Sequence, residues 1–296
     1  PLRLVGSEMC IRDSKNGWPI ETEHFFVKTN HSQEKGVELA GHAEAFHGYF
    51  MREFAAIFQT PQQLEKLFEG GAVKQDKDLH KIDFFRTKEE FVEAITKQCP
   101  VARQIQGFYS SSDRKAYFYY NPVAESEAAM ETLVHEVTHQ LLSESSQQKF
   151  LPGQERDFWV VEGLACYLES FRISPEGKIS VGSIDHPRLL AARRLIAEDT
   201  YEPLDRFTAR GMKAFQNGMQ KDLQDRYAQA TGLSHFFMHF QDGVYKDGFI
   251  EFMSELYSPD RRIRDRAKPL DEILGVSNRV LDEQYVAYIK AMSSHP

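Results

Sequence analysis

Two histidines and a glutamate in the run Leu133-Val134-His135-Glu136-Val137-Thr138-His139-Gln140 carry the chemistry from which this chain is best read. The segment has helical periodicity, and residues i and i+4 of a helix stand one above the other, about one turn apart. The imidazoles of His135 and His139 can then grip one zinc ion, with Glu136 beside them as general base on water activated by the metal. A catalytic zinc takes three protein ligands and keeps one position open. Glu162 is the candidate for the third. It stands in Phe158-Trp159-Val160-Val161-Glu162-Gly163-Leu164-Ala165-Cys166-Tyr167-Leu168-Glu169, where a carboxylate among apolar residues is costly unless paired or bound to metal. Gly163 is unfavourable inside a helix and predicts that another backbone comes close at that point. Cys166, one turn on, reads as a small buried hydrophobe. Glu169 reads either as a hydrogen-bond partner of a ligand histidine or as half of a surface ion pair.

These residues need elements to position them. Ile20–Thr29 is predicted as a strand, and Ser32 as the N-cap of a long amphipathic helix from Gln33 to Phe58, with Glu34 in its first turn. His42 and His47 lie along that helix without an i, i+4 partner, so each reads as a packed or surface histidine. A second strand is expected over Asp78–Phe85, a helix from Thr87, and a hairpin of Gln104–Tyr109 with Lys115–Tyr120. The tyrosines of Ala116–Tyr120 fit a core strand at least as well as a substrate-binding edge. Met130, Val134, Val137 and Leu141 form the apolar stripe of the His135 helix, leaving Thr132, His135, Glu136 and His139 on a neighbouring face.

Beyond Phe171 helical patterns dominate, over residues 187–197, 203–211, 221–240, 249–257, 269–273 and 277–292. His235 and His239 repeat the i, i+4 spacing without a glutamate after the first, and read as helix-packing residues. The run Asp260–Arg266 reads as a solvated linker or helix face. The expected architecture is α+β: an α/β lobe over residues 15–125, then the His135 and Glu162 helices and a helical lobe over 126–296, with 15–296 acting as one catalytic unit.

Composition sets the outer bounds. Of 296 residues, 41% are hydrophobic and 27% charged, as in ordinary globular proteins, and a chain of this length can bury a substantial core. A net charge of −8 argues against nucleic acid as the partner. No apolar run approaches the roughly 18 residues of a membrane span. Three cysteines, Cys10, Cys99 and Cys166, suggest neither a disulfide framework nor a Cys-x-x-Cys metal site. The opening stretch Val5–Asp13 resembles translated adapter read-through, so residues 1–14, with Cys10, are expected to lie outside the native fold.

The His-Glu-x-x-His run, followed by Trp159-x-x-Glu162-Gly163-x-Ala165-x-Tyr167-x-Glu169, resembles the gluzincin metallopeptidases, most nearly the peptidase-MA-like bacterial proteins of the DUF1570 type. The likeness covers about residues 20–255. It implies that Glu162 is the third zinc ligand, that the substrate is a peptide or protein, and that the chain is exported. Tyr227-Ala228-Gln229-Ala230 resembles the Tyr-x-x-Gly segment of the more distant aminopeptidase-N-like enzymes, whose tyrosine stabilises the oxyanion; Ala230 stands where they have glycine. Tyr227 is therefore either that donor or a helix-packing tyrosine. The Gly-x-Met-Glu-Asn exopeptidase signature is missing. Three functions stay open: a zinc peptidase using Glu136, a non-catalytic zinc-stabilised module that binds peptides or proteins, and hydrolysis of a non-peptide amide on the same scaffold.

Overall fold

A helix that is to aim two imidazoles needs a rigid bed, and the β-forming runs of the first half supply one. The computed structural model describes residues 17–58, 78–121, 126–145 and 152–292; residues 1–14 and Cys10 lie outside the described residues. Two compact units result, one containing described residues 17–55, 78–121 and 126–145, the other 56–58 and 152–292.

In the first unit, β1 (Trp18–Glu21) and β2 (Phe25–Thr29) form an antiparallel hairpin where one continuous strand was expected. Thr22 breaks the run. Its N–H donates to the Phe25 carbonyl at 2.9 Å and its hydroxyl accepts from the Phe25 N–H at 3.2 Å, which closes a tight turn. In β2, Phe25, Val27 and Thr29 point inward while Lys28 is exposed, the period of a half-buried strand.

Helix α1 (Gln33–Glu53) starts as predicted, with Ser32 accepting from the Lys35 N–H at 3.2 Å. It stops at Phe54, and a short α2 (Ala55–Phe58) completes the run expected to be one helix. After β3 (His80–Phe85), α3 (Lys88–Ile95) opens on a reciprocal capping box between Thr87 and Glu90. The predicted hairpin is β4 (Gly107–Ser110) with β5 (Lys115–Tyr119); its first arm starts later than expected, because Gln104 closes a 3-10 turn, Ala102–Gln104.

The sheet order is β1-β2-β3-β5-β4, with β2, β3 and β5 parallel and the two outer strands antiparallel. Strand β4 is thus an edge. Tyr117 joins Phe91, Val92, Ile95, Cys99 and Ala102 in a core cluster, with Tyr119 packed against it, so these tyrosines fill space under α3. Helix α4 (Ser126–Ser145), which carries the His-Glu-x-x-His run, packs on β4, β5 and α1.

The second unit centres on α5 (Phe158–Leu168), every residue of which is buried. Around it lie a two-stranded hairpin, β6 (Arg172–Ile173) with β7 (Ile179–Ser180), and α6 (Pro187–Ala197). Then come α7 (Leu204–Thr208), α8 (Met212–Gln216), the long α9 (Gln220–His239) and α10 (Lys246–Leu256). The unit ends with α11 (Arg261–Arg264), α12 (Leu270–Leu274) and α13 (Asn278–Ala291). The arginine run read as a linker or helix face forms α11, capped by Asp260. Helix α9 packs on α5, α6 and α13, and Trp159 stacks on Phe249 at 5.9 Å between centroids. Among the described residues no helix is long and apolar enough to cross a membrane.

Candidate metal centre

The aim of the two imidazoles follows from the stripe that anchors their helix. Leu133, Val134, Val137, Leu141 and Leu142 are buried, while His135, Glu136 and His139 are half-buried on the adjoining face of α4. The Thr138 hydroxyl donates to the Val134 carbonyl at 2.7 Å and so stays with the helix, off that face. Nε2 of His135 and Nε2 of His139 are 3.2 Å apart, with the rings edge-on at 79°. Zinc–nitrogen bonds of about 2.0–2.1 Å at tetrahedral angles separate two ligand nitrogens by about 3.3 Å. The separation of the two nitrogens is that of two ligands on one tetrahedral metal ion.

Glu136 is fixed from the sheet. Its Oε2 accepts the Tyr109 N–H at 2.9 Å, an amide supplied by the edge strand β4. The close approach depends on Gly107: a Cβ there would lie 2.8 Å from Glu136 Cγ and 2.8 Å from Thr132 Cγ2. Neither residue stood out in the sequence; a glycine opening a strand was the available signal. Glu144, buried near the end of α4, is a second fixture. It meets His80 Nδ1 at 2.7 Å and accepts from Gln140 Nε2 at 3.1 Å and the Tyr109 hydroxyl at 3.3 Å. Gln140 also donates to the Lys81 carbonyl at 3.1 Å. A polar i, i+4 pair inside an apolar stripe, Gln140 with Glu144, was the legible trace of this network. Burial and the charge of Glu144 push the Tyr109 phenol above its ordinary pKa.

In the second unit Glu162 is a buried carboxylate on α5. The Tyr257 phenol is pushed up by its burial and further by the negative charge of Glu162. Gly163 does what its position predicted: a Cβ there would sit 2.6 Å from the Ala230 carbonyl oxygen and 2.8 Å from Ser234 Oγ, so α5 and α9 touch backbone to backbone.

Glu169 is buried and paired with Arg188, whose Nε and Nη2 donate to its two oxygens at 2.5 and 2.9 Å. Burial works against the Arg188 charge, but Cys166 and Glu169 more than offset it and hold the guanidinium protonated. The same guanidinium lies 5.5 Å over the Tyr227 ring, and Phe215 meets that ring edge-on at 5.6 Å. Cys166 is buried in α5, as a small hydrophobe would be. His235 and His239 are engaged with Gly182, Tyr288 and Tyr167, which accounts for both as packing residues.

Residues 129–258 match the model of a family described as a protein of unknown function, DUF1570. The matched stretch takes in His135, Glu136, His139, Glu162 and Tyr227, so over this part the chain is similar to that family. No curated protein matches the chain.

Proposed function

We propose that this chain is a gluzincin-like zinc metallopeptidase in which His135, His139 and Glu162 hold the metal. The observation that carries the reading is the pair of convergent imidazole nitrogens, 3.2 Å apart, beside a glutamate pinned by a backbone amide. Bound zinc would act as a Lewis acid, polarising the scissile carbonyl and making water a better nucleophile at neutral pH.

The chain's own side chains supply the rest. Glu136 keeps one oxygen on the Tyr109 N–H, which leaves the other to take the proton of the attacking water and later deliver it to the leaving amine. A carboxylate as buried as Glu162 is costly unless it is compensated, and a divalent cation is a partner that would help to offset that cost. Two neutral imidazoles and one carboxylate leave a divalent ion with net positive charge facing the substrate. Tyr227, its ring held between Arg188 and Phe215, donates its hydroxyl to the developing oxyanion.

Peptides or proteins are the proposed substrates. The test is metal analysis with a peptide-library digest, comparing wild type and Glu136→Gln. Zinc bound in both with cleavage only in wild type supports the peptidase. Zinc bound in both with peptides captured and never cut means a zinc-stabilised binding module instead.

A further inference from the structure

The first unit carries a second cluster of nitrogen and oxygen ligands, drawn from the β1–β2 turn and from α1. His24 sits in the turn between β1 and β2, and Glu44 and His47 lie on α1. The spacing Glu44-Ala45-Phe46-His47 places a carboxylate and an imidazole on one helix face, one turn apart, as in helical carboxylate–histidine metal sites. One ligand atom from each of His24, Glu44 and His47 lies within 4.8 Å of the others. We propose that these three residues form a second metal site, selective for a divalent transition cation such as zinc and separate from His135 and His139.

His47 points most directly to a ligand. Its side chain is only 7% exposed, yet its ring hydrogen-bonds to no described residue and is held by ring contacts alone, stacked on His24 at 3.8 Å and meeting Phe25 edge-on at 6.0 Å. Burial, and the nearby His24 and His80, push its pKa down to about 3, so it is neutral and its lone pair is available. Glu44 brings the charge: Oε1 accepts the His24 N–H at 2.7 Å and Oε2 meets His24 Nδ1 at 2.8 Å. Two imidazoles and a carboxylate are an intermediate donor set that suits zinc better than calcium or magnesium. His80, 5.9 Å from His47, is committed to Glu144 and stays outside the set.

Binding requires one rearrangement. His24 and His47 now lie nearly parallel, at 25°, whereas a shared metal must sit in the plane of each ring. A rotation of the half-exposed His24 ring meets this, with the cation replacing the proton between His24 Nδ1 and Glu44. Occupancy would tie the β1–β2 turn to α1 and stabilise the first unit.

The experiment uses the full chain, stripped with chelator and dialysed against Zn²⁺ alone, with bound metal counted by mass spectrometry and thermal midpoints recorded. The expected count is two equivalents in wild type and one in Glu44→Gln. A His135→Ala/His139→Ala variant should keep one equivalent and a zinc-dependent rise in midpoint, both lost when Glu44→Gln is added. Because His47→Gln alters a buried position, His24→Asn at the half-exposed ligand serves as the second variant and should match Glu44→Gln. The proposal is overturned if the double histidine variant binds no zinc, or if Glu44→Gln and His24→Asn leave the count unchanged. One equivalent in wild type that survives loss of His135 and His139 but not of Glu44 would uphold this site and reject the peptidase centre.

Discussion

Two histidine pairs share one spacing, on helices of equal length, and differ in everything else. His135 and His139 lie on the 20-residue α4; His235 and His239 lie on the 20-residue α9. The first pair is edge-on at 79° with its nitrogens facing each other, while the second is tilted at 35° with centroids 4.5 Å apart. In the second pair His235 Nε2 is 3.0 Å from the Gly182 carbonyl, which can only accept, so that nitrogen carries the proton. Nδ1 is then the acceptor for the Tyr288 hydroxyl at 2.9 Å. His239 Nε2 meets the Tyr167 hydroxyl at 2.8 Å. Gly182 is indispensable here, with φ of +80° and no room for a Cβ beside His239. An i, i+4 spacing supplies proximity alone; the groups packed around the rings decide how the two imidazoles are turned toward each other.

The sharpest way to break this contrast is to exchange its outcomes. Glu136→Gln should lower turnover by about 10³-fold or more while zinc stays bound, since a positioned acid–base group contributes 10²–10⁴-fold. Replacing His135 and His139 by alanine should abolish turnover, whereas replacing His235 and His239 should leave turnover per folded molecule near wild type. Single-turnover assays on metal-loaded protein, read beside circular dichroism, check all three. Equal loss in both double variants would remove the distinction.

Tyr227 tests whether α9 contributes to chemistry as well as packing. Tyr227→Phe keeps the ring under Arg188 and against Phe215 and deletes only the hydroxyl. An oxyanion donor of this kind is worth about 10²-fold in kcat, so kcat should fall by that amount with KM unchanged. An unchanged kcat would make the residue a platform for Arg188 and nothing more.

Much of this was legible in the sequence because it follows from short-range rules. Ser32 and Thr87 announce their helices by capping, and Val134, Val137 and Leu141 fix which face of α4 is buried. Gly163 announced a close backbone. The split of Ile20–Thr29 into a hairpin was missed because Thr22 is a β-former by type, and only its bonds to Phe25 make it a turn. The partners of Glu136, Glu144 and Glu169 were hidden for another reason. They come from 27, 64 and 19 residues away in the chain, at Tyr109, His80 and Arg188, and no local pattern encodes such pairings.

The two glycines that admit close neighbours should respond differently. In Gly163→Ala the new methyl meets the Ala230 carbonyl, part of a helix backbone that cannot yield, so the second unit should lose about 2–3 kcal/mol in urea denaturation. In Gly107→Ala the methyl meets Glu136 Cγ and Thr132 Cγ2, side-chain atoms that can move aside. Stability should then change by about 1 kcal/mol, while turnover falls because the carboxylate is displaced from the Tyr109 amide. Equal stability losses would mean that the Glu136 contact is as rigid as the helix–helix one.

Acid should act on the second pair through a group that the fold keeps neutral. Burial, with the neighbouring His239, pushes His235 down to about 4, and the Gly182 carbonyl opposes this only in part. In the unfolded chain the same ring titrates near about 6.5. Above that pH neither state holds the proton, and His235 contributes no pH dependence. Below it the unfolded chain takes up a proton that the folded one refuses, so stability falls by about 1.4 kcal/mol per pH unit until the folded ring itself protonates near about 4. His235→Gln retains an amide donor for Gly182 and a carbonyl acceptor for Tyr288, and removes the titration. The wild-type minus variant difference in urea stability should therefore be flat from pH 8 to about 6.5 and decline steadily below it. A flat difference throughout would mean that the His235 ring is solvated enough to protonate in place, and that the two pairs are less unlike than their geometry makes them.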